Sequence, residues 1–151
     1  MVFGCNPRRF RYKEDILNFL KIRSYKVVDV GCYSGKRCDY PLISEKIAKK
    51  IKEDIFNRVG IGVYGSGIGI SIPASKYIGI YCARCLKPED AKTSRKHNNT
   101  HFLGISADNL SSEEIFEIVD SWMNTPFYTE GEDKAYLRRY IKTVNIDCIS
   151  K

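Results

Sequence analysis

Apolar residues fall along this chain in short runs that alternate with spaced stripes, and the alternation predicts its elements. Met1 to Cys5 reads as a first strand, and Arg11 to Arg23 places Ile16, Leu17, Phe19 and Leu20 on one helical face. The β-branched run Lys26 to Val30 is a second strand. Between Pro41 and Asn57, Ile43, Ile47, Ile51 and Ile55 recur every four residues among lysines and acids, the stripe of an amphipathic helix. Gly60 to Val63, Gly79 to Ala83 and His101 to Ile105 complete a set of strands.

Helix signals fill the intervals. Lys87 to Asn99 has Pro88 in its first turn, where a missing N–H costs nothing. Ser111 precedes Glu114 by three residues, a capping box that opens a helix from Ser112 to Met123, and Asn124-Thr125-Pro126 closes it. Glu132 to Val144 is a last helix, with Leu137, Tyr140, Ile141 and Val144 apolar. The order predicts an α/β fold, one domain over residues 1–151, with a five-stranded parallel sheet, helices on both faces and a C-terminal helix. Right-handed crossovers gather the loops that follow the strands at one edge, and a site is expected there.

The 151 residues carry a formal net charge of +7, which raises nucleic acid as a partner. The basic residues are scattered, however, and the clusters at Arg8-Arg9, Lys49-Lys50 and Arg138-Arg139 accompany no nucleic-acid motif, so no such partner is expected. Val59 to Ser75 is uncharged but broken by glycines and a proline, so no membrane span is expected. Without a targeting segment the chain is expected in the cytoplasm. Of the six cysteines only Cys82-x-x-Cys85 has ligand-like spacing, and no second pair or nearby histidine completes a metal site, which predicts reduced thiols.

The most informative segment is Tyr64-Gly65-Ser66-Gly67-Ile68-Gly69-Ile70-Ser71, a glycine loop after the third strand. Gly65, Gly67 and Gly69 let backbone N–H groups approach an anion closely. The spacing and the position after a third strand do not fit a dinucleotide loop.

Residues 65–76, GSGIGISIPASK, are similar to the GTGxGISIAANK signature of the ribose-5-phosphate isomerase B and galactose-6-phosphate isomerase family. Ser94-Arg95-Lys96-His97-Asn98-Asn99 resembles that family's SRxHND, and Asp39-Tyr40-Pro41 and Gly4-Cys5 match in register. The resemblance implies a Rossmann-like domain and aldose–ketose isomerisation of a phosphorylated sugar without a cofactor. It also implies a homodimer or homotetramer, or a hetero-oligomer in which a cysteine-bearing paralogue completes the site. His97 would then open the sugar ring, Ser66 would orient a hydroxyl, and Asn98, Asn6 and Tyr40 would contact the sugar. Lys134 and Arg138 would stand for the family's C-terminal arginine pair, with Arg139 as an alternative register.

The chain departs from the pattern where the chemistry is done. Tyr64 replaces the cysteine that serves the family as base, and phenols are mostly protonated at neutral pH. Ile70 replaces the glutamate of a second branch, Asn6-Pro7 replaces an Asp-His pair, and Asp108 stands where an arginine faces the phosphate. Cys5 and Cys38 are the nearest alternative thiols along the sequence. A changed base, and activity in doubt, is the expectation that follows.

Overall fold

The computed structural model describes residues 1–5, 10–33, 38–130 and 134–149. Asn6, Pro7 and Glu132 lie outside them. The strands are β1 (Val2–Cys5), β2 (Val28–Asp29), β3 (Gly60–Tyr64), β4 (Cys82–Cys85) and β5 (Phe102–Ser106). The helices are α1 (Phe10–Ile22), α2 (Tyr40–Lys52), α3 (Ile68–Ala74), α4 (Pro88–Asn98), α5 (Ser112–Met123) and α6 (Ala135–Ile149). All strand pairings are parallel, in the order β2-β1-β3-β5-β4. The expected fold is the observed one.

The two faces of the sheet are covered by different helices, and alternation along each strand decides which side chain goes where. Phe3, Ile61, Val63, Leu103 and Ile105 meet Ile16 and Leu20 of α1 and Ile115, Ile118 and Trp122 of α5. Val2 and Phe102 meet Ile43, Ile47 and Ile51 of α2 and Ile70 of α3. A side chain at Gly60 would strike Ile47 and Ile51, so glycine in this strand lets α2 lie directly on the sheet. The predicted isoleucine stripe is therefore the inner face of α2, except that the helix ends at Lys52 and Ile55 packs from the following turn.

Three further elements depart from the sequence pattern by more than one residue. The fourth strand is Cys82–Cys85, not Gly79 to Ala83, because Gly79 adopts φ 83° and turns the chain before the strand begins. The second strand shrinks to Val28–Asp29 at the sheet's margin, and α6 starts at Ala135 and runs to Ile149. The capping box at the start of α5 forms as expected, with Ser111 Oγ accepting from Glu114 N at 3.2 Å and Ser111 N donating to Glu114 Oε2 at 2.8 Å.

The cysteines require a correction. Cys32 and Cys38 form a disulfide, with Cα atoms 6.4 Å apart, where reduced thiols were expected. Cys82 and Cys85 fall on opposite faces of β4, which is the consequence of a separation of three along a strand, and they cannot close on one metal ion. Burial pushes their thiols up to about 12 and about 11. Among the described residues no helix is long and apolar enough to cross a membrane.

Candidate functional site

The β1 and β3 strands leave the sheet side by side where the chain order reverses, so their ends bound a crevice of the kind that binds ligands in open α/β sheets. The glycine loop rises from β3 at this point. Gly67 takes φ 74°, a conformation that suits glycine, and its N–H donates to Tyr64 O at 3.2 Å. Ser66 Oγ accepts from Ile68 N at 3.2 Å, and Ser71 Oγ donates to Gly67 O at 2.8 Å. The next strand end buttresses the turn: Ala107 N donates to Tyr64 O at 3.1 Å, Asp108 N to Gly65 O at 2.9 Å, and Ser106 Oγ to Gly65 O at 3.0 Å.

Around this loop the departures from the family pattern become geometry. The Tyr64 ring is half-buried and packs on Tyr40, centroids 4.9 Å apart, and both rings approach Gly69 where a side chain would otherwise stand. Ile70 is fully buried in the α2–α3 layer, and its carbonyl accepts from Ser44 Oγ at 2.6 Å. Asp108 brings its Oδ2 to 2.5 Å from the position a Cβ on Gly65 would occupy. Arg84, on the edge strand β4, donates from Nε to Ser66 O at 2.6 Å. Neither alternative thiol approaches as a free nucleophile, because Cys5 is buried and Cys38 is disulfide-bonded.

His97 and Asn98 do not join this constellation, although the sequence pattern expected any site at one edge of the sheet. Helix α4 leaves the C-terminal end of β4 and runs back along the sheet, so its own end lies beside the starts of the strands. Two hydrogen bonds mark that edge: His101 N donates to Tyr81 O at 2.8 Å, and Gly60 N to His101 O at 2.8 Å. The loop lies at the other edge, about 13 Å away along a five-residue strand.

At its own edge His97 lies over Tyr136 of α6, ring centroids 4.0 Å apart and planes within 10°. A cavity of about 550 Å³ opens here, lined among others by His97, Asn98, Tyr136, Arg139 and Asp147. Burial, with the nearby Lys96 and Arg139 charges, holds the His97 imidazole below its usual pKa and so favours the neutral ring. Asp147 Oδ2 accepts from Tyr81 OH at 2.8 Å and from Gly79 N at 3.1 Å, and thereby fastens α6 to the entry of β4. Arg139 enters the cavity, whereas Lys134 and Arg138 share another face of α6 with Leu137 and Ile141.

Sequence reasoning missed Arg84, Tyr136 and Asp147. A charge inside the run YCARC was the available signal for Arg84, since such a residue is tolerated on an edge strand. Nothing in the spacing of the last helix singles out Tyr136 or Asp147.

The chain is thus a parallel α/β domain with a glycine loop at its topological switch point and a histidine at the opposite helix end. The Ribose/Galactose Isomerase family model matches residues 1–140, and the chain belongs to that family. It is 34% identical to ribose-5-phosphate isomerase B of Escherichia coli over 127 residues, covering 84% of this chain and 85% of the relative. The solved ribose-5-phosphate isomerase B of Clostridium thermocellum superposes with a TM-score of 0.88 at 32% identity, over 99% of this chain and 98% of that one. The Mycoplasma genitalium enzyme, solved with bound ribulose 5-phosphate, superposes with a TM-score of 0.89 at 26% identity, over 97% and 94% of the two chains.

Proposed function

We propose that this chain is an aldose–ketose isomerase of phosphorylated sugars, of the ribose-5-phosphate isomerase B type, and that its complete site forms between two copies. The observation that carries the reading is the separation of the two family motifs to opposite edges of one chain. The glycine loop waits at one edge and His97 with Asn98 at the other, so a second copy must apply its α4 end to the loop of the first.

In such a site the base removes the proton from C2 of the open-chain aldose, and the C–H electron pair becomes the C1–C2 double bond of an enediolate. Returning the proton to C1, with the O2 hydroxyl proton passed to O1, gives the ketose. The N–H groups around Gly65, Gly67 and Gly69 stabilise the oxygen that gains charge. Neutral His97 opens the ring, Ser66 and Asn98 orient hydroxyls, Tyr40 and Asn6 border the sugar, and Arg139, the alternative to the Lys134 and Arg138 pair, supplies positive charge beside His97. This reading puts the chain in the cytoplasm.

A second reading is favoured by Tyr64 and Ile70. The phenol is packed on Tyr40 and the isoleucine is buried, so neither position supplies the family's base. On that reading the chain is one subunit of an unlike pair, and its partner brings a cysteine. A coupled assay for ribulose 5-phosphate formation by the purified chain separates the two. Turnover well above background, in an oligomer of this chain alone, supports the first. Turnover that appears only with a co-purified partner supports the second, and none in either case removes both.

A further inference from the structure

Two charged side chains flank the glycine loop, and the family pattern assigns neither. On one flank Asp108 holds its carboxylate against Gly65, 2.5 Å from where a Cβ would stand, and its own N–H donates to Gly65 O at 2.9 Å. On the other flank Arg84 pairs in register with Gly104, whose missing side chain would point at Ser71 and the Gly67 carbonyl. Neighbouring residues of paired strands share a face, so Arg84 projects on the loop side of the sheet. Its Nε–H reaches Ser66 O at 2.6 Å.

A guanidinium has five N–H donors in a fixed fork, and that bond uses one. Neither terminal nitrogen has a partner among the described residues. Arg84 is exposed at the edge of the sheet, and the single tether keeps its head beside the loop rather than loose in solvent. A planar fork held in place with two unused nitrogens is the arrangement that takes a phosphate bidentately.

We propose that Arg84 is the phosphate-binding and specificity-determining residue of the loop site, and that the positive charge has moved from the Asp108 flank to the β4 flank. The sugar phosphate then lies across the loop with its phosphate toward Arg84 and its hydroxyls toward Asp108, whose carboxylate accepts from them. This rests on the isomerase reading for the identity of the ligand, but not for the reaction.

Calorimetric titration of the unsubstituted protein, Arg84→Gln and Arg84→Lys with ribose 5-phosphate, and with ribose as the uncharged probe, tests the assignment. Arg84→Gln is expected to weaken ribose 5-phosphate binding tenfold or more and to leave ribose unchanged, with Arg84→Lys between. Asp108→Asn is expected to weaken ribose and ribose 5-phosphate alike, since it removes a charged acceptor from the sugar hydroxyls. Affinity for ribose 5-phosphate within twofold of the unsubstituted protein in Arg84→Gln, or an equal loss for both ligands, overturns the proposal. Binding that depends on Arg84 in a protein without turnover sustains it while removing the isomerase reading. No saturable binding of ribose 5-phosphate by the unsubstituted protein overturns both.

Discussion

The imidazole of His97 lies flat on the phenol ring of Tyr136, so that the last turn of α4 and the first of α6 are joined by a ring stack with centroids 4.0 Å apart. The stack fixes the plane of the histidine and screens one side of it from water. Tyr136→Phe is expected to retain turnover, because the ring and not the hydroxyl makes the contact. If His97 acts as proposed, Tyr136→Ala is expected to lower kcat about tenfold, since a loosened group loses its productive geometry. Steady-state kinetics on the two variants check this, and equal rates would show that the stack is only packing.

The same histidine should respond to its neighbours. Burial comes first among the causes that lower its pKa, followed by Lys96 and then Arg139. Arg139→Gln removes one repelling cation, so the His97 pKa should rise toward that of a free imidazole, as read by a nuclear magnetic resonance titration. A fall would place Arg139 in a different relation to the ring.

Tyr64 stands where the resemblance places a thiol base. Tyr64→Cys is expected to increase turnover of ribose 5-phosphate. It should also cost about 1 kcal/mol of stability through the lost contact with Tyr40. Both are measurable on one preparation, by assay and by urea unfolding. An unchanged or lower rate would put the base elsewhere.

Two glycines with the same backbone conformation should differ in their tolerance of alanine. Gly67 and Gly79 have φ 74° and 83°, where any side chain is strained. At Gly67 the added Cβ would also come within 3.0 Å of the Ile105 carbonyl carbon, whereas at Gly79 it meets only the end of Ile55 at 3.3 Å. Gly79→Ala is expected to cost about 1–2 kcal/mol. Gly67→Ala is expected to cost about 3 kcal/mol and to disturb the loop, because rigid backbone cannot move aside as a flexible side chain can. Denaturant midpoints compare the two directly.

Acid should weaken the fold through His101. Burial, and then the Arg95 charge, pushes this imidazole down to about 4 from an ordinary 6.5, and Nδ1 has no hydrogen-bond partner among the described residues. The unfolded chain therefore takes up the proton first as pH falls. The stability that neutral His101 contributes is complete above about 6.5 and is lost as pH falls to about 4. Unfolding free energies between pH 7 and 4 should fall more steeply for the unsubstituted protein than for His101→Phe.

How far the residues alone could lead is clear from particular positions. The spacing of Ile43, Ile47 and Ile51 specifies an inner helical face wherever that helix packs, and Ser111 with Glu114 specifies a start. These are local signals, fixed by 3.6 residues per turn and by which N–H groups a short side chain can reach. The order of strands and helices, and the glycine loop after β3, follow from the same kind of information. The disulfide between Cys32 and Cys38 did not, because a pair of cysteines reads alike whether or not the intervening chain folds back.

The site is where local information stopped. The sequence presents the glycine loop and SRKHNN as motifs of one chain, and their separation becomes visible only when α4 is seen to run against the strands and deliver His97 to the opposite edge. Likewise Asp108 and Arg84 are distant in sequence and become the two flanks of one loop because β5 inserts between β3 and β4. Patterns along the chain determine elements, since each depends on neighbours a few residues away. Which charges meet depends on strand order, and that is settled by how two layers of helices close over the two faces of the sheet.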